Sequence, residues 1–307
     1  MADTAEACDA VCEDEEALRP GVDALLRELG VDPAAATRFA TGALPVYGTD
    51  ELVLKLFPQV HAEEYPVEAA VIEALHGRLP IPTPRLLGSG ERDGWGYVLM
   101  TRLPGESLDS AWGQISSPQR YRLAEELGVA LAVLHGLALP QVPEWWPLDW
   151  DEFVAQQRAG CVERQRARGL ADEWLAQIPA AIDVDLTSRP LVLVHTEVMR
   201  EHLLVKRDAA GAWRFSGLID FEPATAGARE YEFVGVGCFV AQGDRRFLRA
   251  VLTAYGFTDD KLDAAFRQRL MAWTLLHYYS NLPAWMERMP APSEPTFAAL
   301  ADAWYGT

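Results

Sequence analysis

The chain has 307 residues, half of them apolar, enough for one large or two medium domains with a sizeable core. No run approaches the roughly 18 apolar residues of a membrane helix, and the N-terminus is acidic rather than basic and apolar, so the expectation is a water-soluble chain without a signal peptide. A formal charge of −18, from 45 acids against 27 Lys and Arg, disfavours nucleic acid as a partner, because phosphate-backbone binding runs on clustered basic residues.

Residues 1–16 hold seven acids and no base, leaving −11 for the rest of the chain. This Ala-rich segment has no apolar stripe and reads as an acidic extension over 1–19, frayed or loosely helical. Residues 20–29 predict a short helix stopped by Gly30. Residues 37–46 (TRFATGALPV) read as strand, turn, strand, and 52–57 (LVLKLF) as an apolar strand with one lysine, Lys55. Pro66 opens a helix with Val67, Ala70, Val71, Ala74 and Leu75 on one face, and Gly77 closes it. Residues 81–90 (IPTPRLLGSG) read as an extended Pro-rich connector. Residues 97–103 (YVLMTRL) read as a buried strand closed by Pro104-Gly105.

The texture then turns helical. Ser117-Pro118 is a cap and first turn for a long helix through Ala124, Leu127, Leu131 and Leu134. A Trp- and Pro-rich bend at 143–150 precedes an Arg-rich helix near 152–168, and further helices are expected at 245–255 and 262–278. Between them lies a polar hairpin. The apolar run 191–194 delivers His195, Glu197 and His202 into a loop, 203–205 leads to a turn at 208–211, and a strand ends at Ile219 with Asp220 directly after it. Four scattered cysteines (Cys8, Cys12, Cys161, Cys238) fit a reducing, cytoplasmic compartment without a disulfide framework. With no internal repeat, the boundary falls at the connector 103–108, dividing the chain into 1–19, 20–103 and 104–307.

A lysine inside an apolar strand needs an anion, since an unpaired buried ammonium costs several kcal/mol. Glu68, thirteen residues on, can supply it; the alternative is an edge strand with Lys55 in solvent. The turn 40–44 around Gly42 offers small residues whose N–H groups can approach phosphate, as any hairpin turn does. The order Lys55, Glu68, connector, His195-x-Glu197-x-x-x-x-His202, Asp220-Phe221-Glu222 resembles the aminoglycoside phosphotransferase family, small-molecule relatives of the protein kinases, in a branch like the hygromycin phosphotransferases. That family carries H-x-D-x-x-x-x-N, then D-F/W-x. The likeness covers roughly residues 35–285.

The resemblance implies an α+β, bilobal, protein-kinase-like fold. A small antiparallel-sheet lobe (20–103) would bind nucleotide, and a larger, mostly helical lobe (104–307) would carry catalysis and the substrate. ATP (or GTP) and Mg2+ would lie between them. In family terms Lys55 and Glu68 position the phosphates, Gly42 sits in the flap, and Met100, Thr101 and Leu103 line the adenine. Glu197 orients the acceptor hydroxyl, His195 braces the catalytic loop, and Asp220 and His202 take the metal positions. The implied activity is phosphorylation of a hydroxyl on a small cationic or sugar-like molecule such as an aminoglycoside, with antibiotic resistance one setting. The partners expected are that small molecule alone, with no nucleic acid and no membrane, for a monomer or dimer.

The chain departs from the family at four positions. Glu197 replaces Asp on a longer stem, and a 1 Å misplacement can cost on the order of 100-fold in rate. His202 replaces Asn, and imidazole suits Mg2+ less well than oxygen, so it could instead meet a softer metal or a phosphate. Where the family continues G-D-x-x-x-D, Gly227 is followed by Ala228 and then Glu232. These departures motivate a second reading, a catalytically impaired kinase-like protein that binds without transfer. A zinc cluster of His195, Glu197, Glu201 and His202 is a third, although the spacing lacks His-Glu-x-x-His. His135 reads as a buried histidine with a local partner. Trp273, His277, Tyr278, Tyr279, Trp285 and Trp304 read as core or as a stacking surface, with Asn281 and Glu287 as candidate substrate contacts.

Overall fold

The computed structural model describes residues 12, 14–40, 42–140 and 149–307. The smaller lobe begins with helix α1 (Glu15–Glu28), whose first turn is capped by the Asp14 carboxylate accepting from the Ala17 N–H at 2.9 Å. It continues through β1 (Thr37–Arg38), β2 (Val46–Gly48), β3 (Leu52–Phe57), helix α2 (Glu64–Leu75), β4 (Leu86–Arg92) and β5 (Trp95–Thr101). The strands form one antiparallel sheet in the order β1-β2-β3-β5-β4, with β3 held between β2 and β5. Strand alternation gives β3 two different faces. Leu54 and Leu56 pack with Val22, Leu25 and Leu26 of α1, while Phe57 joins Val67 and Val71 of α2 in the main core. Lys55 shares this second face and is buried, so the edge-strand alternative does not hold.

Two expectations are corrected here. Helix α1 starts at Glu15 rather than at Pro20, and Glu15 accepts a 2.6 Å hydrogen bond from Tyr47 on the sheet, so residues 15–19 pack with the smaller lobe instead of the acidic extension. The segment 86–90 belongs to β4, not to a connector. Its residues alternate half-buried and exposed on a sheet edge, and a bulge between Leu86 and Gly88 absorbs the irregular glycines.

The larger lobe holds β6 (Glu106–Ser107), α3 (Leu108–Ala111), α4 (Ser117–Gly136), α5 (Trp150–Ala167), α6 (Asp172–Leu175) and α7 (Ile178–Ile182). Next come β7 (Val192–Val194), β8 (Leu203–Arg207), β9 (Trp213–Leu218), β10 (Thr225–Gly227) and α8 (Arg229–Gly235), with a π-helical turn at Val236–Ala241. Helices α9 (Arg245–Tyr255), α10 (Ala264–Leu276), α11 (Leu282–Met286) and α12 (Phe297–Tyr305) complete it. The N-cap of α4 is Ser116, one residue before the serine expected. Most of the bend at 143–150 lies outside the described residues.

The polar unit is not a single hairpin. β7 pairs with β10, whereas β8 pairs with β9 and with β6. Loop 195–202 therefore runs from the first small sheet to the second, and loop 219–224 runs back, which lays the two loops side by side. Gly235 lets helix α8 approach them closely: a Cβ there would stand 3.0 Å from the Val198 carbonyl oxygen. No helix among the described residues is long and apolar enough to cross a membrane.

Candidate active site

Lys55 projects from β3 into a cage of carboxylates supplied by both lobes. Its Nζ lies 2.6 Å from Asp220 Oδ1, 2.6 Å from Glu222 Oε2 and 3.2 Å from Glu68 Oε2. Burial alone would push the ammonium down, but the charges of Asp220, Glu68 and Glu222 outweigh it and hold Lys55 well above its ordinary value. Asp220 shows the converse. Burial pushes it up, yet Lys55 and His202 keep it well below the usual carboxylate range. Glu222 is pushed well up by burial and by the neighbouring Asp220 and Glu68 carboxylates, against the pull of Lys55. Glu68 is thus in the pairing position expected, and it also accepts from the Phe221 N–H at 3.4 Å.

The two histidines of loop 195–202 differ in charge because their partners differ. His195 is buried, donates from Nε2 to the Ile219 carbonyl at 3.0 Å and accepts from the Glu197 N–H at Nδ1 (3.3 Å). One donor and one acceptor role define a neutral ring, and burial lowers its basicity accordingly. His202 faces two acceptors, Asp220 Oδ2 at 2.9 Å and the Glu197 carbonyl at 2.9 Å. Burial works against its charge, but the bond to Asp220 prevails and raises it. His195 is therefore a brace, with neither ring nitrogen left for a zinc ion, and the zinc reading loses one of its ligands.

Two residues with left-handed backbones sit at the turning points of these loops, Thr196 at φ 71° and Asp220 at φ 77°. Non-glycine residues there cost about 1–3 kcal/mol, and the surroundings must impose the conformation. At Thr196 they do: its N–H and that of His195 donate to Glu232 at 3.1 and 2.6 Å, and its carbonyl accepts from His277 Nε2 at 3.2 Å. Glu232 is fully buried. Burial pushes it up, but contacts from His135 and His195 bring it below its ordinary value. The partners of His135 are Glu232 at 3.4 Å and Tyr255 at 2.9 Å, both far along the chain rather than local.

Donor atoms of Glu197, His202 and Asp220 all lie within 4.8 Å of one another, and those of Glu68, Asp220 and Glu222 do likewise. The second set already surrounds the Lys55 ammonium, so the first is the one that can take a divalent ion. Both His202 nitrogens are donated, to Asp220 and to the Glu197 carbonyl, so the two carboxylates suit a divalent ion directly, whereas the imidazole joins them only after giving up the proton it shares with Asp220; once neutral it favours transition metals over Mg2+. Glu197 is half-buried. Its carboxyl is raised by burial, partly offset by His202.

Along the connector, Met100 is buried at the end of β5. Thr101 is spent on Arg85, donating its N–H at 3.0 Å and accepting at Oγ1 at 2.9 Å, and the Arg102 N–H goes to the Glu51 carbonyl at 2.7 Å. The Leu103 N–H donates to no acceptor among the described residues, which makes it the open position of this strip. Gly42 adopts φ 116° in the loop between β1 and β2; Thr41 beside it lies outside the described residues.

A pocket of ≈ 370 Å³ opens beside loops 195–202 and 219–224. Its lining includes Thr196, Glu222, Pro223, Tyr278 and Tyr279 from the larger lobe and Glu63 and Glu64 from the smaller one. The C-terminal aromatics divide accordingly. Trp273 and Trp304 are core, His277 stacks on Tyr231 at 4.8 Å, and Tyr278 and Tyr279 face the pocket. Asn281 instead caps α11, and exposed Glu287 is not among the lining residues. Sequence reasoning passed over Glu222 as a partner of Lys55. Its adjacency to Asp220-Phe221 is the one local signal for it.

Residues 36–265 match the model of the phosphotransferase enzyme family. The streptomycin–ATP ternary complex of APH(2")-IIa superposes with a TM-score of 0.62 at 15% identity, covering 87% of this chain and 95% of that one. Aminoglycoside phosphotransferase APH(4)-Ia gives 0.60 at 15% identity over 93% and 96%. APH(3'')-Id from Streptomyces rimosus, in complex with ADP and streptomycin, gives 0.57 at 16% over 85% and 98%. A curated relative, Lysine-specific demethylase JMJ21 of Arabidopsis thaliana, is 25% identical over 218 residues, 57% of this chain, and the match spans 23% of that protein's length. With two lobes meeting at Lys55 and Asp220 and the family pattern matched over most of its length, the chain belongs to the phosphotransferase enzyme family and shares the fold of the aminoglycoside kinases.

Proposed function

We propose that the protein is an ATP-dependent O-kinase that transfers the terminal phosphoryl group of ATP (or GTP) to a hydroxyl of a small cationic or sugar-like molecule. The observation that carries this reading is the meeting of Lys55, Asp220 and Glu197 at one point between the lobes, with Asp220 2.6 Å from Lys55 and donor atoms of Glu197 and Asp220 within 4.8 Å. Neighbouring folds that hold streptomycin, gentamicin, ATP or ADP support the substrate class.

In this reading Asp220 and His202 would hold Mg2+ or a related divalent ion, which would offset charge on the phosphate oxygens. Lys55 supplies a permanent positive charge to those oxygens, kept in place by Glu68. The Leu103 N–H meets the adenine edge beside Met100, with Thr101 fixing the strand through Arg85, and the Gly42 loop covers the phosphates. Glu197, made more basic by burial, takes the proton of the acceptor hydroxyl. The hydroxyl oxygen bonds to the terminal phosphorus, the bond to the bridging oxygen breaks, and ADP leaves. Residues 20–103 serve the nucleotide and 104–307 the acceptor. A cytoplasmic setting agrees with the free, buried thiols of Cys161 and Cys238.

The binding-only alternative has one observation in its favour: both Asp220 oxygens are already engaged, by Lys55 and by His202. Calorimetry of ATP with Mg2+ and with Mn2+, followed by ADP release against aminoglycosides, sugars and amino alcohols, separates the two. Acceptor-dependent release establishes the kinase. Binding without release under either metal establishes the alternative.

A further inference from the structure

His277 closes helix α10, and its imidazole is buried with both ring nitrogens engaged. Nε2 donates to the Thr196 carbonyl at 3.2 Å, and Nδ1 accepts from the Tyr279 N–H at 3.3 Å. One donor and one acceptor role make the ring neutral, the form that burial also favours. Its face stacks on Tyr231 at 4.8 Å, and the Tyr231 hydroxyl accepts from the Tyr278 N–H at 3.0 Å. A buried histidine is more commonly satisfied by core groups that have no part in a site. Here both partners are backbone groups of segments that line the pocket, loop 195–202 and the turn after α10.

The Thr196 carbonyl belongs to the peptide unit that joins the left-handed Thr196 to Glu197, so holding that carbonyl fixes where the Glu197 side chain starts. The turn is closed by the Ser280 N–H on the His277 carbonyl at 3.0 Å. It carries Tyr279, whose phenol is raised by burial and further by the charges of Glu197, Glu64 and Glu222, which sets it within electrostatic reach of the proposed base. Buried Gln165 holds the far end of the turn independently, through the Ser280 hydroxyl at 2.8 Å and the Leu282 N–H at 3.1 Å. Resting on the kinase reading above, we infer that His277 is a positioning residue that keeps the Glu197 base and the Tyr279 side of the acceptor pocket in one frame, Nε2 setting the first and Nδ1 the second. An error of about 1 Å between a base and its hydroxyl costs on the order of 100-fold in rate, so such a frame bears directly on transfer.

The two nitrogens can be removed separately. In His277→Gln the side-chain amide reaches the Nε2 position and keeps the donor to Thr196, while the acceptor for Tyr279 is lost. In His277→Asn the amide lies at the Nδ1 position and keeps that acceptor, while the donor is lost. Amide hydrogen exchange of the full chain without ligands, followed by NMR, should rise about tenfold at Tyr279 in the first variant and at Thr196 and Glu197 in the second. ADP release with ATP and Mg2+, using the panel member above that releases it fastest from the parent, should split in the same way. KM for that acceptor rises about tenfold in His277→Gln with kcat held, and kcat falls about tenfold in His277→Asn with KM held. Equal changes in the two variants, in exchange or in kinetics, overturn the inference. So does a parent His277 that shows the Nδ1–H tautomer or an imidazolium in nitrogen-15 spectra at pH 7, a measurement that needs no variant to fold. Absence of ADP release by the parent removes the kinase reading and with it the role in transfer, whereas release with equal changes removes the role of His277 alone.

Discussion

Lys55 Nζ and Asp220 Oδ1 stand 2.6 Å apart across 165 residues of sequence, and this contact makes one electrostatic unit of the two lobes. Glu222 and Glu68 complete the cage, so three carboxylates share one ammonium. The excess negative charge is relieved by the His202 ring on the far oxygen of Asp220 and by the upward push on Glu222.

Removing the ammonium strands the acids. Lys55→Met should lower stability by about 3–5 kcal/mol, read by urea unfolding at pH 7. The uncompensated buried carboxylates then have raised folded-state values, so their penalty grows as pH rises and shrinks as it falls. The deficit should accordingly narrow at pH 5. An unchanged unfolding midpoint at pH 7 would show that the cage contributes nothing to stability.

His277 provides a separate pH signature. Burial lowers it to about 4, against about 6.5 in the unfolded chain, so between those values the unfolded state binds more protons. Its contribution is complete above about pH 6.5 and is lost as pH falls toward 4, with a total of roughly 3 kcal/mol. His195, also lowered, acts in the same sense. His277→Phe keeps a ring for stacking on Tyr231 and removes the titration. Its stability curve over this window should be flatter than the parent's, and parallel curves would refute the assignment.

Glu232 anchors the backbone of His195 and Thr196. Glu232→Ala leaves two buried N–H groups without an acceptor and releases the left-handed Thr196, at a cost of about 3 kcal/mol. Glu232→Gln, which keeps one amide oxygen, should recover part of that loss. Because the Glu232 carboxyl lies below its ordinary value in the fold, its contribution is present above about pH 4.3 and is lost as pH falls further. Thermal melts of both variants and the parent at pH 7, and at successive pH values descending below 4, check the order and its convergence in acid.

The His202 imidazole should bias the Glu197–His202–Asp220 set toward transition metals. Replacing it by Asn restores an oxygen donor, and the Co2+ to Mg2+ affinity ratio measured by calorimetry should fall about tenfold. A ratio unchanged by His202→Asn would place the ion elsewhere.

What the sequence made legible was local spacing. Lys55 inside an apolar strand, Glu68 on the next helix and the run from His195 to His202 could be aligned because each is fixed by a strand end or a helix turn. Glu222 and Glu232 stand in motifs of the sequence without a role visible there, because their roles depend on Lys55 and on two loop N–H groups that are distant in sequence. Strand β4 is hard to see in the sequence because an edge strand needs only half-buried alternation, and its glycines imitate a connector. Helix α1 begins five residues before the expected 20–29 because Asp14 caps it, and Pro20 falls inside the helix. The aromatic pocket lay beyond sequence reasoning, since Tyr278 and Tyr279 follow the same helix that buries Trp273.

The most direct measurement is acceptor-dependent ADP release by the parent protein and by Asp220→Ala, with circular dichroism confirming that both are folded. The account predicts release by the parent and a loss of about a thousandfold or more in the variant. Undiminished turnover by folded Asp220→Ala would contradict it.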